Sequence, residues 1–177
     1  ENVDTSYKER KPQIRVSVNM SARSIGYPRW MWTLKKGLER NPTVGERLIL
    51  EITESSAMLV PELVLAFMDE VQRKGVAFAL DDFGTGYSSL NYLKRFPIHK
   101  LKIDQSFVRN ITSDPDDAAI TRAVIDLSHG LQLKVIAEGV ETEEQRAFLH
   151  THQCDEMQGF LISKPVPGEI FENRFLV

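Results

Sequence analysis

Polar side chains stand where the apolar segments of this sequence end. Six segments, rich in Val, Ile, Leu and Phe, each close with carboxylate, amide or ammonium groups. These groups are Asn19, Glu51, Glu54, Asp81, Asp82, Lys102, Asp104, Glu138, Glu141 and Gln158. Carboxylate and amide oxygens bind hard divalent cations, and a lysine among them can pair with an anionic substrate oxygen. The residue types therefore predict a site that binds metal or handles protons.

The apolar segments are predicted β-strands, and helices are predicted between them. The strands span residues 14–20, 47–53, 76–83, 100–104, 133–140 and 155–162. Three places have residues typical of helix starts: Asp114 with Pro115, Pro61 alone, and Thr142 with Gln145. Alternating strands and helices build a parallel sheet, and in a parallel barrel all carboxyl strand ends meet at the face where active sites lie. We therefore expect an α/β fold that brings the six strand ends to one pocket.

Several acids in this set would have to share that pocket. They are Glu51, Asp81, Asp82, Asp104 and Glu138. Burying carboxylates together is unfavourable unless cations neutralise them, and an all-oxygen donor set favours Mg²⁺ or Mn²⁺ over zinc. A single acid at a strand end more often caps a helix or faces solvent, but six coincident strand ends are hard to produce by chance. The cluster thus predicts divalent metal.

Asp81 and Asp82 are adjacent, and neighbouring residues of a regular strand point to opposite faces. The chain must turn here if both carboxylates face the pocket, and Gly84 and Gly86 permit such a turn. Adjacent carboxylates suit two metal ions a few ångströms apart, the arrangement that clamps the attacking and leaving oxygens of a phosphodiester. A plain loop would explain the two glycines equally well.

Lys102 and Asp104 lie two positions apart and so share one face of the fourth strand. Lys102 can then pair with an anionic oxygen or a metal-bound hydroxide, or it can form a structural ion pair with Asp104. The same residue types would fit a metal-assisted enolising enzyme in which Lys102 is the base. The residues alone leave these interpretations open.

Composition limits the class of protein. The 177 residues carry a net charge of -3, 42% of them are hydrophobic, and one is cysteine, which indicates one domain and excludes a disulfide-stapled mini-protein. Without a basic excess, binding to a DNA or RNA duplex is not expected. The apolar stretches are far shorter than the roughly 18 residues that span a bilayer, so no membrane contact is expected from this segment. We expect a cytoplasmic protein with a reduced Cys154, a polar tail at residues 1–12 and a barrel domain at residues 13–177.

Seven short motifs follow one another along the chain. They are Val18-Asn19-Met20-Ser21, Glu51-Ile52-Thr53-Glu54, Asp81-Asp82-Phe83-Gly84-Thr85-Gly86, Lys102-Ile103-Asp104, Glu138-Gly139-Val140-Glu141, Gln158-Gly159-Phe160 and Ser163-Lys164-Pro165. In this order and spacing they resemble the successive motifs of the EAL-domain family of cyclic-di-GMP phosphodiesterases. The resemblance implies a TIM-like (β/α) barrel, incomplete here with about six of its eight strands visible. It also implies two Mg²⁺ or Mn²⁺ ions and hydrolysis of cyclic di-GMP to linear pGpG in bacterial second-messenger signalling.

The resemblance assigns metal ligands motif by motif. Asn19, Glu51 and Asp81 would hold the first metal ion. Asp82 would hold the second ion, with Asp104 nearby.

The remaining motif residues would act on water or on a loop. Glu138 occupies the family's metal-ligand or base position, Lys102 would hold or activate the attacking water, and Gln158 would fix that water or a ligand. Glu54 and Glu141 resemble the pair that steadies the loop after the two adjacent aspartates, which in this family links the metal site to dimerisation. The resemblance thus also implies a homodimer that is part of a larger multidomain signalling protein.

The sequence departs from the family near its start. The Glu-Ala-Leu tripeptide that names the family, whose glutamate is a metal ligand, does not occur in the chain, and 18 residues precede Asn19. We therefore expect the N-terminal part of the domain to be absent from this chain, by truncation or by natural loss. Two functional hypotheses follow: a phosphodiesterase domain whose turnover is well below that of a complete domain, or a non-catalytic cyclic-di-GMP receptor or interaction module.

Overall fold

The computed structural model describes residues 14–86 and 90–175. Within those residues, six strands and ten helices alternate along the chain. The strands are β1 (Val16–Asn19), β2 (Leu48–Thr53), β3 (Ala77–Phe83), β4 (Lys100–Ile103), β5 (Lys134–Ala137) and β6 (Glu156–Met157). The helices are α1 (Ala22–Ile25), α2 (Pro28–Arg40), α3 (Pro42–Gly45), α4 (Glu54–Leu59), α5 (Pro61–Gln72), α6 (Leu90–Leu93), α7 (Gln105–Arg109), α8 (Pro115–Gly130), α9 (Glu143–Thr151) and α10 (Gly168–Phe175). The predicted tail at residues 1–12 lies outside the described residues.

All six strands belong to one parallel sheet in the order β1-β2-β3-β4-β5-β6. Sequential parallel strands joined by helices are the arrangement of a (β/α) barrel, and the sheet curls into part of one. The predicted α/β fold and the six predicted strands are therefore confirmed. Among the described helices, none combines the length and the apolar composition that crossing a membrane requires.

The sixth strand is shorter than the predicted residues 155–162. It ends at Met157, and the chain then turns, with the backbone N–H groups of Ile162 and Ser163 both donating to the carbonyl of Gly159. A side chain at Gly159 would overlap the backbone of Val140, so the chain passes its neighbour too closely to continue as a pleated strand. The apolar run of this segment therefore overstated the length of the strand.

The predicted helix starts are present. The carboxylate of Asp114 accepts hydrogen bonds from the backbone N–H groups of Asp116 and Asp117 and caps α8. Thr142 and Gln145 bond reciprocally at the start of α9, with the Thr142 hydroxyl accepting the Gln145 N–H at 3.2 Å. Such caps satisfy N–H groups that have no partner inside the helix, which explains why the helices begin at these residues.

Alternate strand residues build the core between the sheet and the helices. The buried strand residues on this side are Leu50, Ile52, Phe78, Leu80, Leu101 and Ile103. The ring of Phe78 meets the ring of Phe67 from α5 edge-on, with centroids 5.7 Å apart. Residues of the opposite parity face the barrel interior, where Asn19 pairs in register with Glu51, and Glu51 with Ala79. The pleat thus separates an apolar outer layer from a polar inner face.

Strand β1 differs from its neighbours because all four of its residues are exposed. Val16 is 56% exposed, and Val18 is exposed as well. Both valines share the parity of the buried outer layer, since Val18 pairs in register with Leu50 of β2. The apolar outer face of the sheet therefore continues onto a strand that faces solvent in this chain.

Candidate active site

Lys102 is at the centre of a buried cluster of charges. Its Nζ lies 2.7 Å from Glu51 Oε2, 2.7 Å from Glu138 Oε1 and 3.0 Å from Asp81 Oδ1. The side chain of Lys102 is only 4% exposed. One ammonium group on β4 thus joins carboxylates carried by β2, by β3 and by the segment after β5.

Asp104 does not form the ion pair with Lys102 that the sequence left open. Its Oδ1 instead accepts the backbone N–H of Ser106 at 2.9 Å and caps α7. Lys102 points across the barrel interior towards strands β2 and β3, whereas Asp104 stands after the strand has ended. The alternative of an ion pair between Lys102 and Asp104 is therefore wrong, since Lys102 pairs with Glu51, Asp81 and Glu138.

The surroundings of Lys102 hold it in the charged form. Burial by itself would lower the pKa of Lys102, but the hydrogen bonds to Glu138, Glu51 and Asp81 outweigh it, and the pKa rises above the ordinary value for lysine. The ammonium group therefore stays protonated at neutral pH. It can donate hydrogen bonds, but it cannot accept a proton from a substrate.

Asp81 and Asp82 both reach the cluster because the strand is irregular between them. Asp82 has a positive φ of 53°, and the pairing of β3 with β4 shifts register between Leu80 and Phe83. The backbone N–H of Asp82 donates to Asp81 Oδ1 at 3.0 Å. The predicted turn at the two adjacent acids is thus present, and the residues with positive φ are Asp82 and Gly84 but not Gly86.

Three carboxylates converge closely enough to share a cation. Oxygen atoms of Asp81, Asp82 and Glu138 all lie within 4.8 Å of one another. Burial, followed by the nearby charges of Asp81 and Asp104, raises the pKa of Asp82. Burial also raises the pKa of Glu138, against the opposing effect of Lys102. Both pKa shifts arise first from burial, and the nearby carboxylate of Asp81 adds to each of them.

An open cavity lies beside the cluster, with a volume of about 370 Å³. Its lining residues are Asn19, Met20, Ser21, Glu51, Thr53, Ser56, Asp81 and Asp82. Asn19 is exposed at the end of β1, opposite Glu51 in the register. Ser21, Thr53 and Ser56 were not among the predicted site residues. Ser21 lies two residues after β1, Thr53 is the last residue of β2 and Ser56 lies in the first turn of α4, so closeness to a strand end was the signal that could have identified them.

Glu54 acts on a loop and not on the cavity. It is the first residue of α4, where Thr53 is the N-cap, and it is 1% exposed. Its Oε2 accepts the backbone N–H of Gly84 at 3.0 Å. This contact ties the start of α4 to the turn after Asp82.

Glu141 and Gln158 lie at the same end of the sheet but are exposed to solvent. The backbone N–H of Glu141 donates to Gln145 Oε1 at 2.7 Å, and the carbonyl of Gln158 accepts the N–H of Val140 at 3.0 Å. These are contacts of the main chain, so they do not test the roles assigned to the two side chains. Both roles stay predictions.

Lys100, for which the sequence suggested no role, lies one layer deeper on the inner face. Its Nζ pairs with Glu156 of β6, with Oε1 at 2.7 Å. The inner face therefore carries two layers of charge, a buried one around Lys102 beside the cavity and a partly exposed one around Lys100.

The sequence that forms this site is similar to those of a known protein family. The family model of the EAL domain matches residues 2–165. The chain belongs to the EAL domain family. Asp81, Asp82, Lys102 and Glu138, which form the cluster, all lie inside the matched EAL residues.

Curated EAL relatives are much longer than this chain. MucR of Pseudomonas aeruginosa, named a bifunctional diguanylate cyclase/cyclic di-GMP phosphodiesterase, is 44% identical over 154 residues, which are 87% of this chain and 22% of MucR. The cyclic di-GMP phosphodiesterase PdeR of Escherichia coli is 40% identical over 169 residues, 96% of this chain and 26% of PdeR. The chain thus spans about a quarter or less of the length of these relatives.

Solved EAL structures have the same fold. The phosphodiesterase MucR in complex with c-di-GMP superimposes with a TM-score of 0.84 at 43% identity, covering 89% of this chain and 64% of that one. Klebsiella pneumoniae BlrP1, in a complex with calcium and cyclic di-GMP, gives a TM-score of 0.74 at 30% identity, covering 83% and 38%. The partial barrel is therefore part of an EAL fold, and EAL domains are metal-dependent.

Proposed function

We propose that this chain is the main part of a metal-dependent phosphodiesterase domain that hydrolyses one phosphodiester bond of cyclic di-GMP to give linear pGpG. The observation that carries the proposal is the set of carboxylates gathered around Lys102 beside an open cavity. MucR and PdeR, which are similar to this chain, are named cyclic di-GMP phosphodiesterases. We propose residues 13–177 as the barrel domain and residues 1–12 as a polar tail.

The residues fit hard divalent cations. One ammonium group cannot neutralise the carboxylates of Glu51, Asp81, Asp82 and Glu138, and the donor atoms are all oxygen. We assign Asn19, Glu51 and Asp81 to one Mg²⁺ or Mn²⁺ ion, and Asp82 to a second, with Asp104 nearby. Bound ions would supply stabilisation of phosphoryl charge and a more acidic bound water.

The side chains of the chain itself have separate tasks in this proposal. Lys102 stays protonated, and it would hold the attacking water or a phosphate oxygen once one of the three carboxylates that it contacts here turns to an ion. Glu138 binds an ion or accepts the proton of the attacking water. Glu54 holds the turn after Asp82 through Gly84. Gln158 would fix the water or a ligand, and Glu141 would support the same loop as Glu54. The side chains of Gln158 and Glu141 are exposed in this structure.

The other hypotheses differ in what they require of the site. An enolising enzyme with Lys102 as base needs a lysine that loses its proton easily, and the raised pKa of Lys102 argues against it. A non-catalytic receptor needs only the nucleotide site. It differs from the phosphodiesterase in having no turnover.

The wider setting of the chain is also a proposal. Because the chain spans about a quarter or less of MucR and PdeR, we propose that it belongs to a larger multidomain signalling protein. Leu59, Leu63 and Leu90 are large exposed apolar residues, which supports burial against a second copy in a homodimer. The single free cysteine, Cys154, is compatible with the reducing cytoplasm.

The test is a chromatographic assay for the linear dinucleotide with Mn²⁺ present, combined with calorimetry of cyclic di-GMP binding. Binding with turnover that Mn²⁺ stimulates would support the phosphodiesterase. Binding without turnover, in this chain and in a form extended by a Glu-Ala-Leu strand, would favour the receptor. The absence of binding in both forms would contradict both hypotheses.

A further inference from the structure

Helix α7 lies between the two segments that carry the candidate metal ligands. It begins directly after Asp104, whose carboxylate caps it. It contacts the turn after Asp82 with one residue and the residue after Glu138 with another. The contacts that define this placement come from Phe107 and Gln105.

The ring of Phe107 packs closely against Gly84. A Cβ atom added to Gly84 would lie 2.9 Å from Cε2 of the Phe107 ring, and Gly84 has a positive φ of 98°. On another side, the N–H of Gly84 donates to Glu54 Oε2 at 3.0 Å. The turn that follows Asp82 is therefore held between an aromatic ring and a buried carboxylate.

Gln105 makes the corresponding contact on the other segment. A Cβ atom added to Gly139 would lie 2.7 Å from Cβ of Gln105, so the start of α7 packs directly against the residue after Glu138. The backbone N–H of Glu138 also donates to the carbonyl of Ile103, at the end of β4, at 3.2 Å. The position of Glu138 therefore depends on the position of the connection between β4 and α7.

The far end of α7 is tied down as well. The carbonyl of Arg109 accepts a hydrogen bond from Nε2 of Gln145 at 3.1 Å. Gln145 is buried and belongs to the capping box of α9. A helix of five residues held at both ends is a rigid spacer, so its side chains are suited to set the distance between two loops.

We propose that Phe107 is a positioning residue, which through Gly84 fixes Asp82 relative to Glu138 and so sets the affinity of the site for divalent cations. The carboxylates of Asp81, Asp82 and Glu138 repel one another, and a backbone free to relax would let them separate. The ring of Phe107 resists that relaxation at the turn next to Asp82. This inference rests on the proposed metal-dependent function.

The experiment measures the dissociation constant of Mn²⁺ by electron paramagnetic resonance of free Mn²⁺, together with the melting temperature without metal. Phe107→Ala should raise the dissociation constant about 10- to 100-fold, the usual effect of removing a group that supports metal ligands. Phe107→Tyr keeps the ring edge and should restore binding. Phe107→Leu keeps the apolar volume but not the ring, and it should also raise the Mn²⁺ dissociation constant. This variant tests the role of the ring if the alanine variant does not fold.

Phe148→Ala is the matched control. Phe148, in α9, is also half-buried and packs on the same core, but it contacts His152 with ring centroids 4.5 Å apart. Its truncation should lower the melting temperature and leave the Mn²⁺ dissociation constant unchanged. Equal affinity in wild type, Phe107→Ala and Phe107→Leu, or equal weakening by Phe148→Ala, would overturn the positioning role. If the wild-type chain bound no Mn²⁺, the proposed metal site would itself be wrong and the inference would fall with it.

Discussion

Lys102 and Glu51 are 51 positions apart in the chain, yet Nζ of the lysine lies 2.7 Å from Oε2 of the glutamate. The two residues stand on β4 and β2, with β3 between them, so the contact crosses the inner face of the sheet. Asp81 of the intervening strand completes the contact at 3.0 Å. Lys102 is therefore a buried counter-ion shared by carboxylates from separate strands.

Lys102→Met should destabilise the metal-free protein by about 3 to 5 kcal/mol at neutral pH, because three carboxylates lose their buried counter-ion. The loss should shrink at mildly acidic pH, where protonation removes the repulsion, and millimolar Mn²⁺ should recover part of it. Urea unfolding at both pH values measures the effect. Lys36→Met removes an exposed pair with Glu39 and should leave the free energy of unfolding nearly unchanged. An equally small effect of Lys102→Met would contradict the counter-ion role.

Mg²⁺ or Mn²⁺ should raise the melting temperature, since a ligand that binds only the folded state stabilises it by about 2.7 kcal/mol at a hundredfold excess over its dissociation constant. Asp82→Asn should reduce that metal-dependent shift. The same variant should raise the metal-free melting temperature, because the carboxylate is partly buried and is also repelled by Asp81 and Asp104. Asp116→Asn, in the first turn of α8, is the matched acidic control and should leave the metal-dependent shift unchanged. Differential scanning calorimetry with and without metal measures both changes in melting temperature, and an unchanged metal-dependent shift in Asp82→Asn would contradict its role as a ligand.

Glu138→Gln should lower turnover of cyclic di-GMP by a factor of about 100 or more and leave nucleotide binding largely intact. The amide keeps the shape of the side chain but removes the charge that holds an ion or accepts a proton. The linear dinucleotide is quantified by chromatography, and binding by calorimetry, in a form of the protein that turns over the nucleotide. Glu144→Gln, an exposed change in α9, should leave both unaffected. Retention of full turnover in Glu138→Gln would contradict its assigned role.

The Cys154 thiol should react slowly with a disulfide reagent at neutral pH. Burial raises the pKa of this thiol to about 11, and its Sγ donates to the carbonyl of Glu156 at 3.2 Å. Only the thiolate attacks a disulfide, so the rate should increase with pH until about that value. In urea the same residue should react as an ordinary thiol of pKa about 8.5. Since the chain has one cysteine, the absorbance of the released reagent reports on this site alone. Rapid labelling of the folded protein at neutral pH would contradict the prediction.

Local chemistry made much of the fold predictable. The capping groups at Asp114 and Thr142 marked helix starts because they satisfy N–H groups close in sequence. The adjacent acids Asp81 and Asp82 predicted an irregular strand, because a regular pleat would separate them. Each of these signals depends only on residues a few positions apart.

The sequence by itself determined which residue types stand at the carboxyl ends of the strands, and hence that a polar site would form where the strands meet. Tertiary structure decided the pairing: Lys102 contacts Glu51, Asp81 and Glu138 and not Asp104, and Phe107 meets Gly84. Those contacts depend on strand register, on the register shift between β3 and β4, and on the start of α7 directly after Asp104. They join residues far apart in sequence, so no local pattern specifies them.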